Sequence, residues 1–138
     1  MAQQQLYLEC GGDFVLNGNG GLQWATNPWD VIRQNFERFL FTSPALNSVS
    51  GQPQPADWIF FPKFGLGASR MIGQVFNSAY INKLQQIVYQ GALAASTGNS
   101  NVPPVVTVTQ GPVPNQLNVR VVITPTNMPA QTLNVTLP

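Results

Sequence analysis

From residue 105 to residue 137 the chain alternates apolar and polar side chains with a period of two, and this pattern constrains the fold most. Prolines separate three such runs. Their apolar members are Val106 and Val108, then Leu117, Val119, Val121 and Ile123, and finally Leu133, Val135 and Leu137. Because successive side chains of a strand point to opposite faces, the pattern predicts strands with one buried face. We therefore predict a C-terminal antiparallel three-stranded β-meander.

Three helical patterns precede the meander and would cover it. The first lies in NPWDVIRQNFERFLF, where Asn27 can cap and Pro28 suits the first helical position. Its apolar stripe consists of Trp29, Ile32, Phe36 and Phe39 or Leu40. Arg33 and Glu37 stand four apart on the opposite side, which predicts a solvated ion pair. A second helix is predicted from Ala68 to Phe76 and a third from about Ser78 to Ala95.

The remaining segments are short or irregular. Weak alternation from Leu6 to Leu16 predicts one or two short N-terminal strands, and the glycines of NGNGG predict a turn. Residues 43–57 contain three prolines and a glycine, which predict a long surface loop. At 138 residues the chain has the length of one domain, so we expect a single α+β domain over residues 1–138.

Charge is sparse, with six Lys or Arg and five Asp or Glu, whereas 14 Gln and 13 Asn carry the polarity. A net charge of +1 gives no basic surface for nucleic acid or anionic lipid, so we expect neither partner. No apolar run approaches the length of a membrane span, and the first residues do not resemble a signal peptide. The single Cys10 favours a reducing compartment, so we expect synthesis in a cytoplasm.

The residue inventory offers little chemistry. The chain contains no histidine, which removes the usual general base and the commonest metal ligand. The carboxylates are Glu9, Asp13, Asp30, Glu37 and Asp57, and a hydrolase would have to use these. Asp30 and Glu37 share a helix face at a separation of roughly 10 Å, with Arg33 between them to keep them ionised. We expect no enzymatic activity, no cofactor and no metal.

An aromatic segment, WIFFPKF, covers residues 58–64 and has four aromatic side chains. Such a segment could stack on single-stranded nucleic acid, but Lys63 is its only cation. The composition therefore favours packing in a core or an interface over nucleic-acid binding.

The order of these elements resembles a known family. A helix ending in RFLFTSP is followed by a loop and then by FFPKFGLGASRMIGQVF, a third helix, and strands that read LNVRVVI and LNVTL. This order, from about Asp13 onward, resembles the baseplate-wedge family of contractile phage tails, which includes the W protein of temperate phages and the lysozyme-like baseplate protein of large lytic phages. The chain departs from the family in its longer loop and in carrying Asn77, Ser78 and Ala79 where many members have Glu-Pro-Arg.

The resemblance implies a sheath initiator, a structural subunit of the tail baseplate in the virion, present in several copies. Its C-terminal strands would bind the tail sheath protein by strand exchange, and its helical part would contact baseplate wedge proteins and the tail tube or the spike and hub proteins. The sheath-binding residues would be Leu117, Val119, Arg120, Val121, Ile123, Leu133, Val135 and Leu137. The wedge-binding residues would be Trp29, Phe36, Phe61, Phe64 and Arg70.

Strand exchange requires an edge that lacks the charges and bulges with which monomers protect their sheets. Arg120 is the only charge on the last two predicted strands, so the free edge would be either Val119–Ile123 or Leu133–Leu137. Three alternatives remain open. The strands could be central in the domain's own sheet, with the N-terminal segment shielding the last one; the protein could be a baseplate-borne cell-wall hydrolase; or it could be the equivalent subunit of a type VI secretion baseplate.

Overall fold

The computed structural model describes residues 15–47, 49–68, 77–113 and 116–137. They form helices α1 (Pro28–Phe41) and α2 (Ser78–Ser96) and strands β1 (Val105–Gln110), β2 (Leu117–Ile123) and β3 (Gln131–Leu137). The strands make one antiparallel sheet in the order β1-β2-β3, which confirms the predicted meander. The architecture is α+β. The predicted helix from Ala68 to Phe76 lies, after Ala68, outside the described residues, as do the predicted N-terminal strands before residue 15.

Helix α1 has the predicted start because its N-terminal signals are local. The side chain of Asn27 accepts a hydrogen bond from the Asp30 amide at 2.9 Å, and Pro28 occupies the first turn. The helix ends where Thr42 donates from both its amide and its hydroxyl to the Arg38 carbonyl, at 3.1 and 2.6 Å. Ile32 is fully buried on its inner side, together with Phe36 and Leu40.

The ion pair of α1 is less solvated than predicted. Arg33 and Glu37 are 3.1 Å apart, but their side chains are only 10% and 24% exposed. The buried residues of α1 include Val31 and Gln34 as well as the apolar stripe, so the covered surface is wider than one stripe. A guanidinium in this position needs a charged partner, and Glu37 accepts two hydrogen bonds from it.

Helix α2 confirms the third predicted helix and forms the centre of the core. It starts at Asn77, whose side chain accepts from the Tyr80 amide at 2.8 Å. It packs on α1, on β1 and, to a lesser extent, on β2. The contact with α1 is close: a Cβ atom at Gly91 would lie 2.1 Å from the Phe39 ring, so only glycine fits this position.

The described residues of this segment, 43–47 and 49–57, are not the simple surface loop that the prolines predicted. They fold back as an irregular hairpin, in which Leu46 and Pro53 form a β-bridge and the Asn47 amide donates to the Gln52 carbonyl at 2.8 Å. Val49 belongs to the buried core cluster, and its carbonyl accepts a hydrogen bond from Lys83 Nζ of α2 at 2.8 Å. Main-chain hydrogen bonds and this link to α2 replace the regular structure that the prolines prevent.

Candidate functional site

Strand β2 is the centre of the sheet, so it is not an available edge. Every residue of β2 has a partner on β3, and six of them also have a partner on β1. The expectation that Val119–Ile123 could be the free edge is therefore wrong. Its residues instead hold the core: Val119, Val121 and Ile123 are at most 1% exposed. The remaining choice, β3, is an edge strand of the described sheet.

The register shows which main-chain groups of β3 point away from the sheet. The amide of Val108 on β1 points outward, because it lies 3.4 Å from the Gln85 Oε1 atom of α2. Val108 is opposite Val119 on β2, so the N–H and C=O groups of Val119 must face the other neighbouring strand, β3. On β3 the residue opposite Val119 is Val135. Because main-chain groups alternate sides along a strand, Val135 bonds inward and Asn134 presents its N–H and C=O outward. The N–H and C=O groups of Thr132 and Thr136 point outward for the same reason.

The side chains of β3 are arranged for extension as well. Thr132, Asn134 and Thr136 are exposed on the outer face of the sheet. On the inner face Leu137, which was also predicted to bind the sheath, is buried in the core, whereas Leu133 and Val135 are only half-buried. The reason is the position of α2, which packs on β1 and β2 and makes no extensive contact with β3. An added strand would bury the inner-face side chains and bond to the outward main chain at the same time.

The outer face of the sheet carries a single charge. Arg120, on β2, is exposed and lies in one cross-strand row with Thr107 on β1 and Asn134 on β3. The three strands contain no Asp or Glu. Nearby, the Thr136 hydroxyl donates to the Asn118 side chain at 3.3 Å, a neutral cross-strand pair. Apart from the cross-strand pair of Val105 and Val122, the face is therefore polar, with one cation on its central strand.

A second surface is formed by the aromatic segment, residues 58–64. Ile59 and Phe60 are 85% and 90% exposed, and Phe61 is 61% exposed. Two short turns hold this conformation through hydrogen bonds from the Phe61 amide to the Trp58 carbonyl and from the Phe64 amide to the Phe61 carbonyl. The segment thus presents contiguous apolar side chains to solvent, a feature that often marks an interaction site.

Aromatic contacts fix the segment against α1. The Trp58 ring stacks on Phe64 at 5.5 Å, and Phe64 meets Phe39 of α1 edge to face at 6.2 Å. Beside them is a groove of about 620 Å³ between this segment and α2, lined among others by Ile87 and Gly91. The exposed side chains of Ile59, Phe60 and Phe61 are consequently attached to a rigid base, the packed rings of Trp58, Phe64 and Phe39.

The predicted wedge-binding residues are not brought together as one set. Phe61 and Phe64 lie in the aromatic segment, but Phe36 is fully buried in the core. Trp29 is half-buried near the start of α1, ten residues and about 15 Å of helix from Phe39. Arg70 lies outside the described residues. Sequence reasoning did not single out Ile59 and Phe60, because an apolar run reads the same whether it is buried or exposed.

Two of the three described carboxylates, Glu37 and Asp57, bind neighbouring groups of the fold. Asp57 Oδ2 accepts from the Ser43 amide at 2.7 Å, across the hairpin of residues 43–57, and Glu37 is paired with Arg33. In the described ranges no three His, Cys, Asp or Glu side chains are grouped as metal ligands would be. Burial raises the pKa of the Tyr80 phenol. Neither helix of the described part has the length and hydropathy needed to cross a bilayer.

No protein-family model matches the chain, and no curated protein or solved structure is significantly similar to it.

Proposed function

We propose that this protein is a structural subunit of a contractile tail baseplate and that the β3 edge is extended by a strand of the sheath protein. The resemblance of its element order to the baseplate-wedge family suggests the assembly, and the outward main chain of Thr132, Asn134 and Thr136 carries the mechanism. β-Augmentation takes its affinity from such groups and its specificity from alternate side-chain positions. Leu133 and Val135 supply those positions.

The energetics favour an assembly role over binding of single soluble strands. Three outward residues offer six main-chain groups, which at about 0.5–1.5 kcal/mol per hydrogen bond contribute roughly 3–9 kcal/mol. Ordering the incoming chain costs about 1–2 kcal/mol per residue and offsets most of this. One edge therefore binds a free strand weakly. Several copies in a baseplate would bind the arms of a preformed ring far more tightly, because each further contact is intramolecular.

The aromatic segment gives the same subunit a second contact, which we assign to a wedge protein. Ile59, Phe60 and Phe61 would be covered on assembly, and the rigid base made by Trp58, Phe64 and Phe39 would limit the entropy lost there. In this arrangement the two surfaces have different partners, since one offers main-chain groups and the other apolar side chains. The hydrolase alternative gains no support from Glu37 and Asp57, whose carboxylates serve an ion pair and the hairpin.

Asn134→Pro tests the role of the β3 edge. Proline removes an outward N–H and places its ring where the added strand would lie, while the ladder to β2 keeps its hydrogen bonds. We expect baseplates that contain this variant to assemble but to start no sheath, as seen by electron microscopy of tail particles. Asn134→Ala, which keeps the N–H, is the matched control and should support sheath of normal length. Normal sheath on the proline variant would refute the proposal.

Deletion of residues 131–138 is a coarser form of the same test. It should also abolish sheath assembly, but it removes the partner of β2 and exposes Leu117 and Val121, so its fold must be checked by circular dichroism. The point variant avoids this problem.

The wedge contact is tested by the double variant Ile59→Ser with Phe60→Ser. Both side chains are mostly exposed, so the melting temperature should stay within a few degrees of the parent. We expect loss of incorporation into baseplates, measured by the amount of this chain in purified particles. Leu16→Ser, at an exposed leucine outside the aromatic segment, is the control and should be incorporated normally. Normal incorporation of the double variant would contradict the assignment.

A further inference from the structure

We infer that Arg120 selects the register of the strand added to β3, by pairing across Asn134 with a carboxylate on the outer face of that strand. The inference rests on the proposed strand addition and specifies the partner: an extended segment with apolar side chains on one face and an acidic residue on the other. Arg120 is exposed and is the only charged residue of the described sheet. Such a cation attracts an anion from a partner chain.

The cross-strand row makes the pairing geometrically possible. Arg120 is directly opposite Asn134, and a residue of the added strand would be directly opposite Asn134 on its other side. Neighbouring strands are about 4.8 Å apart, so Arg120 and that residue are separated by roughly 10 Å between Cα atoms. Asn134 has a short side chain, and long arginine and glutamate side chains on the same face can meet above it.

Apolar alternation alone leaves the register ambiguous. A shift of one residue turns the apolar side chains of the added strand away from Leu133 and Val135, which costs burial. A shift of two residues keeps the apolar face inward and is not penalised in this way. A shift of two residues moves the carboxylate by about 7 Å along the strand, so that it no longer lies in the cross-strand row of Arg120. Arg120 therefore distinguishes registers that the apolar pattern cannot.

The expected effect is modest, because exposed ion pairs are weak. A pair of this kind changes the binding equilibrium by about two- to fivefold. That factor is sufficient to favour one of two otherwise equal registers, and it applies at every copy in the assembly.

Tethered probe strands test the inference on the full chain. A nine-residue strand of alternating valine and threonine, with a central polar position of glutamate, glutamine or lysine, is joined to the C-terminus by a flexible Gly-Ser linker of about twelve residues. Hydrogen exchange at the Thr132, Asn134 and Thr136 amides reports strand addition, and nuclear Overhauser contacts to Asn134 report the register. We expect protection about two- to fivefold greater for the glutamate probe than for the glutamine probe, and least for the lysine probe.

Two variants complete the design. Arg120→Gln should remove the difference among the three probes, and Arg120→Glu should reverse it in favour of lysine. Equal protection by all probes on the parent chain would overturn the role of Arg120 while leaving strand addition intact. If no probe slowed hydrogen exchange at these amides, the proposal that the β3 edge accepts a strand would be overturned, and the register proposal with it. The two failures are thus distinguishable.

Discussion

The two edges of the sheet have similar sequences and different surroundings. β1 and β3 both alternate branched apolar residues with threonine or amide residues. At β1, α2 covers the inner face, so that Val106 and Val108 are buried, and Gln85 reaches the outward amide of Val108. At β3, Leu133 and Val135 are only half-buried, and within the described ranges no strand lies beside the outward main chain.

The difference shows that helix placement, and not strand composition, determines which edge is available. α2 packs on β1 and, to a lesser extent, on β2, and the inner face of β3 is covered only in part, because Leu137 is buried whereas Leu133 and Val135 are half-buried. A sheet edge is protected by a covering element or by charge. At β1 the protection comes from α2, whereas β3 has no charged residue to discourage pairing.

The largest expected contrast is between a fully buried leucine of α2 and a half-buried leucine of β3. Leu84→Ala, in α2, removes a fully buried side chain and should lower the free energy of unfolding by about 2–5 kcal/mol. Leu133→Ala, at the half-buried β3 position, should cost about 1 kcal/mol. Urea denaturation of both variants measures the difference. Equal losses would mean that β3 is as well covered as the helix side.

A second contrast lies within β3 itself. Val135→Pro removes an inward hydrogen bond and leaves a buried acceptor on β2 unsatisfied, which should cost about 1–3 kcal/mol. Asn134→Pro removes an outward N–H and should cost less than about 1 kcal/mol. The measurement is the urea concentration at the midpoint of unfolding of each variant. If Asn134→Pro proved the more damaging of the two, the assigned parity of β3 would be reversed.

A smaller effect is expected at the protected edge. Gln85→Ala removes the acceptor near the Val108 amide and should accelerate hydrogen exchange there, with a stability loss of about 0.5–1 kcal/mol. Exchange at Asn134 should not change. Gln86→Ala, one residue further along α2, is the control and should leave Val108 unaffected. Unchanged exchange in the Gln85 variant would show that α2 does not close this edge through Gln85.

The smallest expected effect is the dependence of stability on pH through Tyr80 of α2. Tyr80 packs against the core, and burial raises the pKa of its phenol above the ordinary value of 10.0. The folded state therefore holds the proton more firmly than the unfolded state. The stability that protonated Tyr80 contributes is fully present below pH 10 and is lost as the pH rises through the pKa of Tyr80 in the folded state. Tyr80→Phe should weaken the alkaline loss of stability, measured as melting temperature against pH; an unaltered profile would contradict this.

Some features were predictable because their signals are local. The start of α1 follows from Asn27 and Pro28, which act on the first turn without help from the rest of the chain. The three strands follow from alternation, since a period of two fits no other regular structure. The candidate site was predicted only in part: β3 was one of two possible edges, and Phe61 and Phe64 were two members of a longer list of contacts.

Other features depend on neighbours that are distant in sequence. The burial of Arg33 and the partial burial of Glu37 could not be read from the helix pattern, which places them opposite the apolar stripe. The hairpin of residues 43–57 is tied down by Lys83, 34 residues beyond Val49. The exposure of Ile59 and Phe60 reverses the usual expectation for an apolar run.

The amino-acid sequence by itself determined the α1 cap, the course of α2 and the two faces of each strand, because these depend on residues a few positions apart. Only the tertiary structure decided that β2 is central and that α2 packs more extensively on β1 than on β3. The physical reason is that strand order and helix placement follow from packing between distant segments. Residues with the same alternation can therefore become either a protected edge or an open one.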